Sequence, residues 1–144
     1  MPLIYLNCPV NTFTQVAKDK LATELTATSL KVEGLANSAF VRSTVWIYIN
    51  EYPAKNIYHG GSSSGTKVIS LEVNVFEGGL NVEAKKMLIQ LFTAIIRKHL
   101  GIAEEKIAPV YIIIRDISES SWGVFGNTMT LDELRNPSAN LLAI

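Results

Sequence analysis

Apolar positions along this chain switch between a two-residue and a helical rhythm. Residues 3–8 alternate into a first strand, which Pro9-Val10-Asn11 ends. Thr12 or Thr14 can cap the helix that follows to about residue 30, in which Val16, Ala17, Leu21, Leu25 and Thr28 give a modest buried stripe. Lys18, Lys20, Glu24 and Lys31 fall on its wet side. After a break at 34–38, residues 40–50 read as a second strand. There Val45, Ile47 and Ile49 alternate with Thr44, Trp46 and Tyr48, so one face suits helix packing and the other presents aromatic and polar groups.

A connector at 51–65, ending in glycines and serines, separates this half from a second one. Gly60-Gly61 and the serines lack the lysine and following helix of a phosphate-binding loop. Residues 68–76 form a third strand. Asn81 caps a helix that closes near Gly101, with Ala84, Met87, Leu88, Leu91, Phe92, Ile95, Ile96 and Leu100 as the strongest amphipathic stripe in the chain. Residues 110–115 form a fourth strand, 121–127 a short ribbon or turn, and 131–134 one helical turn.

The order is therefore strand-helix-strand, linker, strand-helix-strand. Each second strand ends in an acid, Glu51 or Asp116, followed by an aromatic, Tyr58 or Trp122. The expected fold class is α+β, with duplicated β-α-β units forming a mixed four-stranded sheet and two helices on one face. Residues 1–128 are read as one domain of two repeats, about 2–60 and 66–126, followed by a tail at 129–144. The second sheet face is too apolar for water, and closed symmetric association is the simplest way to cover it.

Composition narrows the partners. Thirteen basic and thirteen acidic side chains cancel, which removes a long-range field toward nucleic acid or anionic membranes. The single Cys8 cannot form an internal disulfide or a cysteine zinc site and reads as a buried small thiol. No apolar run approaches a membrane span, and the amino terminus lacks the regions of a signal peptide, so a cytoplasmic location is the expectation. His59 stands alone in a glycine-rich loop and His99 near a helix carboxyl terminus, so neither supports a metal centre, and no cofactor is expected.

The most informative chemistry lies at the amino terminus. If Met1 is removed, Pro2 carries a secondary amine, whose pKa burial or a nearby cation would lower toward a value useful in a base. If Met1 stays, that nitrogen is a tertiary amide without basicity. Proline also simply starts strands, where no ladder bond needs an N–H. Arg42 and Arg115 share strand parity with Trp46/Tyr48 and Tyr111/Ile113 and are candidates to bind a carboxylate. Tyr48, Tyr111 and Trp122 are candidates to line a pocket. Solvation or an acid such as Glu51 or Asp116 is the bland fate of either arginine, and packing that of the aromatics. Glu51 and Asp116 occupy corresponding places in the two repeats and do not form a catalytic pair.

Pro2, the duplicated strand-helix-strand plan and Ser121-Trp122-Gly123 together resemble the tautomerase superfamily, over roughly residues 2–128. Within it, Asn50-Glu51-Tyr52-Pro53-Ala54-Lys55-Asn56-Ile57-Tyr58-His59-Gly60-Gly61 is similar to the linker of the fused, double-length cis-3-chloroacrylic acid dehalogenase group. The resemblance implies homotrimers and an amino-terminal proline acting as general base or, in the hydratase-like branch, as acid. It also implies residues that this chain lacks. Phe76 and Gly79 stand in the neighbourhood where two carboxylate-holding arginines are expected, and Ser121 where a water-activating glutamate is expected. Thr28-Ser29 stands in place of a histidine, and Trp46 or Tyr111 in place of the plain tautomerase arginine.

Two function classes follow. One is a proline-dependent enzyme acting on a small carbonyl or carboxylate ligand, a 2-keto or enol compound, without a cofactor. The other is a non-catalytic or differently specialised homotrimer on the same scaffold. Specific dehalogenation is not expected.

Overall fold

The structure is a computed structural model, which describes residues 2–63 and 67–143. Its main sheet contains β1 (Leu3–Pro9), β2 (Trp46–Tyr52), β3 (Ile69–Phe76) and β4 (Val110–Ile117), in the order β2-β1-β3-β4. β1 runs parallel to β2, β3 runs parallel to β4, and β1 meets β3 antiparallel. This is the mixed sheet expected from two β-α-β units, with the first strands of the two units paired at its centre.

The crossovers are α1 (Gln15–Glu33) and α3 (Val82–Leu100), with α2 (Ala39–Ser43) as a short helix between α1 and β2. The Thr14 hydroxyl caps α1 by accepting from the Ala17 N–H, and the Asn81 side chain caps α3 by accepting from Ala84. Gly34 and Gly101 close the two helices with φ of 65° and 64°, the left-handed backbone that glycine adopts without a Cβ penalty. The repeat extends to matching ion pairs: Lys18 of α1 reaches Glu51 at the end of β2, and Lys85 of α3 reaches Asp116 at the end of β4. These two acids are thus partnered by lysines, one in each repeat.

Both long helices pack on one sheet face. Leu21 and Leu25 of α1 and Leu88, Phe92 and Ile96 of α3 cover Ile4, Leu6, Cys8, Ile69, Leu71, Val73 and Val75. Burial of these side chains is the main stabilising contribution, on the order of 2 kcal/mol for each large aliphatic residue removed from water. The stripe of α1 differs from the one expected. Val16 is exposed, while the buried line runs Leu21, Leu25, Ser29 and Glu33, at steps of one turn. Met87 and Leu91, expected to be buried on α3, are also exposed.

Residues 40–45 depart from the expected strand. Ser38 caps α2 through its side chain, which accepts from the Val41 N–H, and Phe40 and Val41 are buried, so a helical turn forms before β2 begins at Trp46. Cap and burial outweigh the β-branched run there. Arg42 therefore lies on a helix, and the strand parity that aligned it with Trp46 and Tyr48 does not apply.

The carboxyl-terminal part contributes a second core. The ribbon of β5 (Gly123–Val124) and β6 (Asn127–Thr128) turns at Phe125 and Gly126, both at positive φ, as a two-residue hairpin of the primed type requires. α4 (Leu131–Arg135) follows, capped by a reciprocal Thr130–Glu133 box. Leu131 and Leu134 join Leu30, Leu35, Phe40, Val41 and Phe76 in a buried cluster against which Trp122 and Val124 pack.

Candidate functional site

The open face of the sheet is built in rows by the strand registers. Trp46, Leu3, Asn74 and Arg115 form the row nearest the start of β1. Tyr48, Tyr5, Glu72 and Ile113 form the next, and Asn50, Asn7, Ser70 and Tyr111 the third. The expected aromatic face is present: Tyr5 and Tyr48 stack with centroids 5.4 Å apart, and Trp46, Tyr48, Tyr111 and Ile113 are all exposed.

Pro2 immediately precedes β1, is buried, and its carbonyl accepts a hydrogen bond from the Trp46 N–H at 3.3 Å. Its neighbours Leu3 and Trp46 line a cavity of about 200 Å³, together with Thr44, Trp122, Gly123, Val124 and Phe125. No charged side chain lines it. Thr44 donates its hydroxyl to the Val41 carbonyl at 2.7 Å, and the Trp46 indole N–H donates to the Ser43 carbonyl at 3.1 Å, so both polar groups are held by the backbone. A second recess shares Leu3, Trp122 and Gly123 with this cavity and adds Arg115, Asn74 and Ser121.

Of the residues singled out in the sequence, Pro2, Trp122 and Arg115 thus come together at one end of the sheet. Arg115 donates to the Glu72 carboxylate at 2.6 Å, so an acidic ligand would compete with that pair. Tyr48 sits one row inward. Tyr111 lies four residues along the strand from the Arg115 row, about 13 Å away, and borders a wide groove with Tyr58 and His59 at the opposite end. Arg42 is turned to Asn37, whose Oδ1 accepts from its guanidinium at 3.3 Å. Met1 lies outside the described residues, as do residues 64–66 of the glycine-serine connector. Among the described residues, no cluster of His, Cys, Asp or Glu is arranged to hold a metal, and no helix is long and apolar enough to cross a membrane.

The absence of the expected arginines has a packing counterpart. Phe76 lies against Trp122 with centroids 4.7 Å apart, and both belong to the second core. A Cβ at Gly79 would sit 3.0 Å from the Phe76 carbonyl oxygen and meet the Leu131 methyls at 3.8 Å, so α4 occupies the space into which a longer residue would grow. Glu119, two residues before Ser121, accepts from the Leu131 N–H at 2.7 Å and thereby ties α4 to the ribbon.

Residues 70–131 match the Tautomerase family model, described as a tautomerase enzyme. Solved structures extend the similarity to most of the chain. The F6 fused 4-OT wild-type asymmetric trimer is 22% identical, with 88% of this chain and 94% of that chain covered and a TM-score of 0.73. The second repeat thus matches a tautomerase family model, and the chain as a whole shares the fold of these solved structures. N1, a member of the cis-3-chloroacrylic acid dehalogenase family, is 14% identical at a TM-score of 0.74, with 89% of this chain and 83% of that chain covered. Pt0534 inactivated by 2-oxo-3-pentynoate is 17% identical at a TM-score of 0.72, with 88% and 94% covered. No curated protein matches the chain in sequence.

One residue of this tautomerase fold escaped the sequence reading. Glu33 ends the Leu21, Leu25, Ser29 line and is 1% exposed. Its four-residue spacing from Ser29 was the available signal. Burial pushes its carboxyl pKa up, while the charge of Arg135 pulls it down by less. The folded protein therefore binds more protons than the unfolded chain between the ordinary glutamate pKa and the raised folded one. Stability from this group must fall as pH rises through that window. Denaturant unfolding from pH 4 to 8 should show this decline in the wild type and a flatter profile in Glu33→Gln. Parallel profiles would show that Glu33 does not carry the dependence.

Proposed function

We propose that this chain is a proline-dependent tautomerase acting on a small 2-keto or enol substrate, with Pro2 as general base once Met1 is removed. The observation that carries the reading is a buried proline at the second position of the chain, next to Leu3 and bonded to Trp46, both of which line an apolar cavity that Trp122 also walls. An amine there would be partly desolvated, which favours its neutral, basic form. In ketonisation the net change moves one proton from the enol oxygen to carbon. The neutral amine can take the enol proton and, as its ammonium, deliver it to carbon, provided the substrate carbon lies within about 3 Å of it. Trp122 and Trp46 would hold an aromatic or unsaturated body. Arg115 would orient a carboxylate if it releases Glu72, and Tyr48, one row inward, is the nearer of the two tyrosine candidates. The inactivation of Pt0534 by 2-oxo-3-pentynoate supports a 2-oxo compound as the substrate class.

A second reading, a non-catalytic or differently specialised homotrimer, is favoured by Phe76, Gly79 and Ser121, which leave the expected acid-binding and water-activating positions without a cation or carboxylate. The same residues argue against cis-3-chloroacrylate hydrolysis, because the serine hydroxyl is a poor base without a strongly basic neighbour. Kinetics separate these readings. Phenylenolpyruvate ketonisation should drop about 100-fold or more in Pro2→Ala, the scale of general acid-base catalysis, and neither protein should release chloride from cis-3-chloroacrylate. Equal ketonisation by both proteins would leave the scaffold without the enzyme, and proline-dependent chloride release would overturn the substrate class.

Assembly is part of the same proposal. The exposed Trp46, Tyr48, Tyr111 and Ile113, spread over three rows of the open face, offer apolar area that a closed trimer would bury, and the fused 4-OT structures include trimers. Sedimentation equilibrium should give about three times the 15.8 kDa chain mass. A folded monomer at micromolar concentration would rule the trimer out.

A further inference from the structure

Within the reading of this end of the sheet as a substrate site, its two recesses differ in what they can bind. The cavity walled by Trp46 and Trp122 has no charged side chain, and the Thr44 hydroxyl and Trp46 indole N–H are both committed to backbone carbonyls. It suits an apolar body. The recess that shares Leu3, Trp122 and Gly123 with it holds Arg115, Asn74 and Ser121, so the polar end of the same ligand would lie there. Asn74 donates a side-chain N–H to the Leu3 carbonyl at 3.2 Å, which leaves Arg115 as the cation that an acid would meet.

Strand parity isolates that arginine with a single acid. Glu51 and Asp116 fall on the helix side of the sheet, where Lys18 of α1 and Lys85 of α3 hold them. On the open side, the four strands carry one acid, Glu72, and one base, Arg115. Arg115 is level with Asn74, and Glu72 stands one step inward, level with Tyr5 and Ile113. The Arg115 Nη1–H donates to Glu72 Oε2 at 2.6 Å, while Glu72 itself does not line the recess. Arg115 thus enters the recess wall with its charge already offset. A ligand carboxylate must displace Glu72 or share the guanidinium with it, and either way two anions crowd one cation. An uncharged polar end meets no such penalty.

We propose that Glu72 is a specificity-determining residue of the site: it offsets Arg115 and so lets an unsaturated carbonyl compound with an uncharged polar end, an amide or ester, compete with the corresponding free acid. Glu72 acts through Arg115 and takes no part in the proton transfer.

Binding of two unreactive probes, 3-phenylpropanoate and 3-phenylpropanamide, separates charge from shape. Both tryptophans of the chain wall the apolar cavity, so quenching of their fluorescence reports occupation of this site. The wild type should bind acid and amide within about fivefold of each other, the scale of a partly exposed ion pair. Glu72→Gln keeps the length of the side chain and its ability to accept from Arg115. There the acid should bind about fivefold tighter and the amide should be unmoved. Adding Arg115→Gln should return the acid to its wild-type affinity or weaker, because the gain requires the freed guanidinium. A larger wild-type preference for the acid, or no binding of either probe, would overturn the proposal without any variant having to fold. Acid binding that is unchanged or weaker in Glu72→Gln, or a gain that survives the loss of Arg115, would overturn it too. The reading of the enzyme fails separately, since neither titration involves ketonisation. The expected charge effect together with ketonisation that survives Pro2→Ala would keep the role of Glu72 and remove the tautomerase, whereas proline-dependent ketonisation with unmoved probes would do the reverse.

Discussion

The amino-terminal strand is paired along both of its edges, and the rest of the molecule depends on that constraint. β1 bonds in parallel to β2 and antiparallel to β3, so it lies in the interior of the sheet and joins the two repeats. An unpaired strand presents a row of N–H and C=O groups that must find partners, and here both rows of β1 are satisfied within the chain. The start of the chain, ordinarily a region free to fray, is instead fixed at Pro2 beside a buried cluster. The proposed terminal amine, if freed at Pro2, would work against a rigid wall, which is the condition under which proton transfer gains from position.

The apolar character of the site follows from the end of the chain. α4 brings Leu131 over Gly79 and Leu134 into the cluster around Phe76, and Glu119 secures that packing through the Leu131 N–H. Where the resemblance to the dehalogenase group led to an expectation of two cations and a carboxylate base, this chain has an aromatic pair, Phe76 and Trp122, and a buried glutamate on another element. Such a site offers dispersion and desolvation to a ligand, with a single arginine at its rim already engaged by Glu72. That composition is the reason the proposed chemistry is proton transfer on an unsaturated carbonyl compound.

Much of the fold was legible because periodicity and caps agree across the repeat. Thr14, Asn81, Gly34 and Gly101 delimit two helices whose stripes demand a sheet, and the strand rhythm supplies it. Residues 40–45 misled because Val41, Thr44 and Val45 carry strand propensity, whereas Ser38 as a cap and the burial of Phe40 form a helical turn that a two-residue rhythm does not register. Tyr111 was grouped with Arg115 because strand parity fixes which face a side chain takes but not how far along the strand it lies. Glu33 was passed over since a glutamate near a helix end ordinarily faces water, whereas this one is buried.

The central claim is that this fold presents a basic proline, and the intact mass of the protein purified from its native host, without a tag, tests it most directly. The account predicts a chain lighter by one methionine residue, with Pro2 as the sole amino terminus. Uniform retention of Met1 would contradict it, because a proline nitrogen inside a tertiary amide has no lone pair with which to take up a proton.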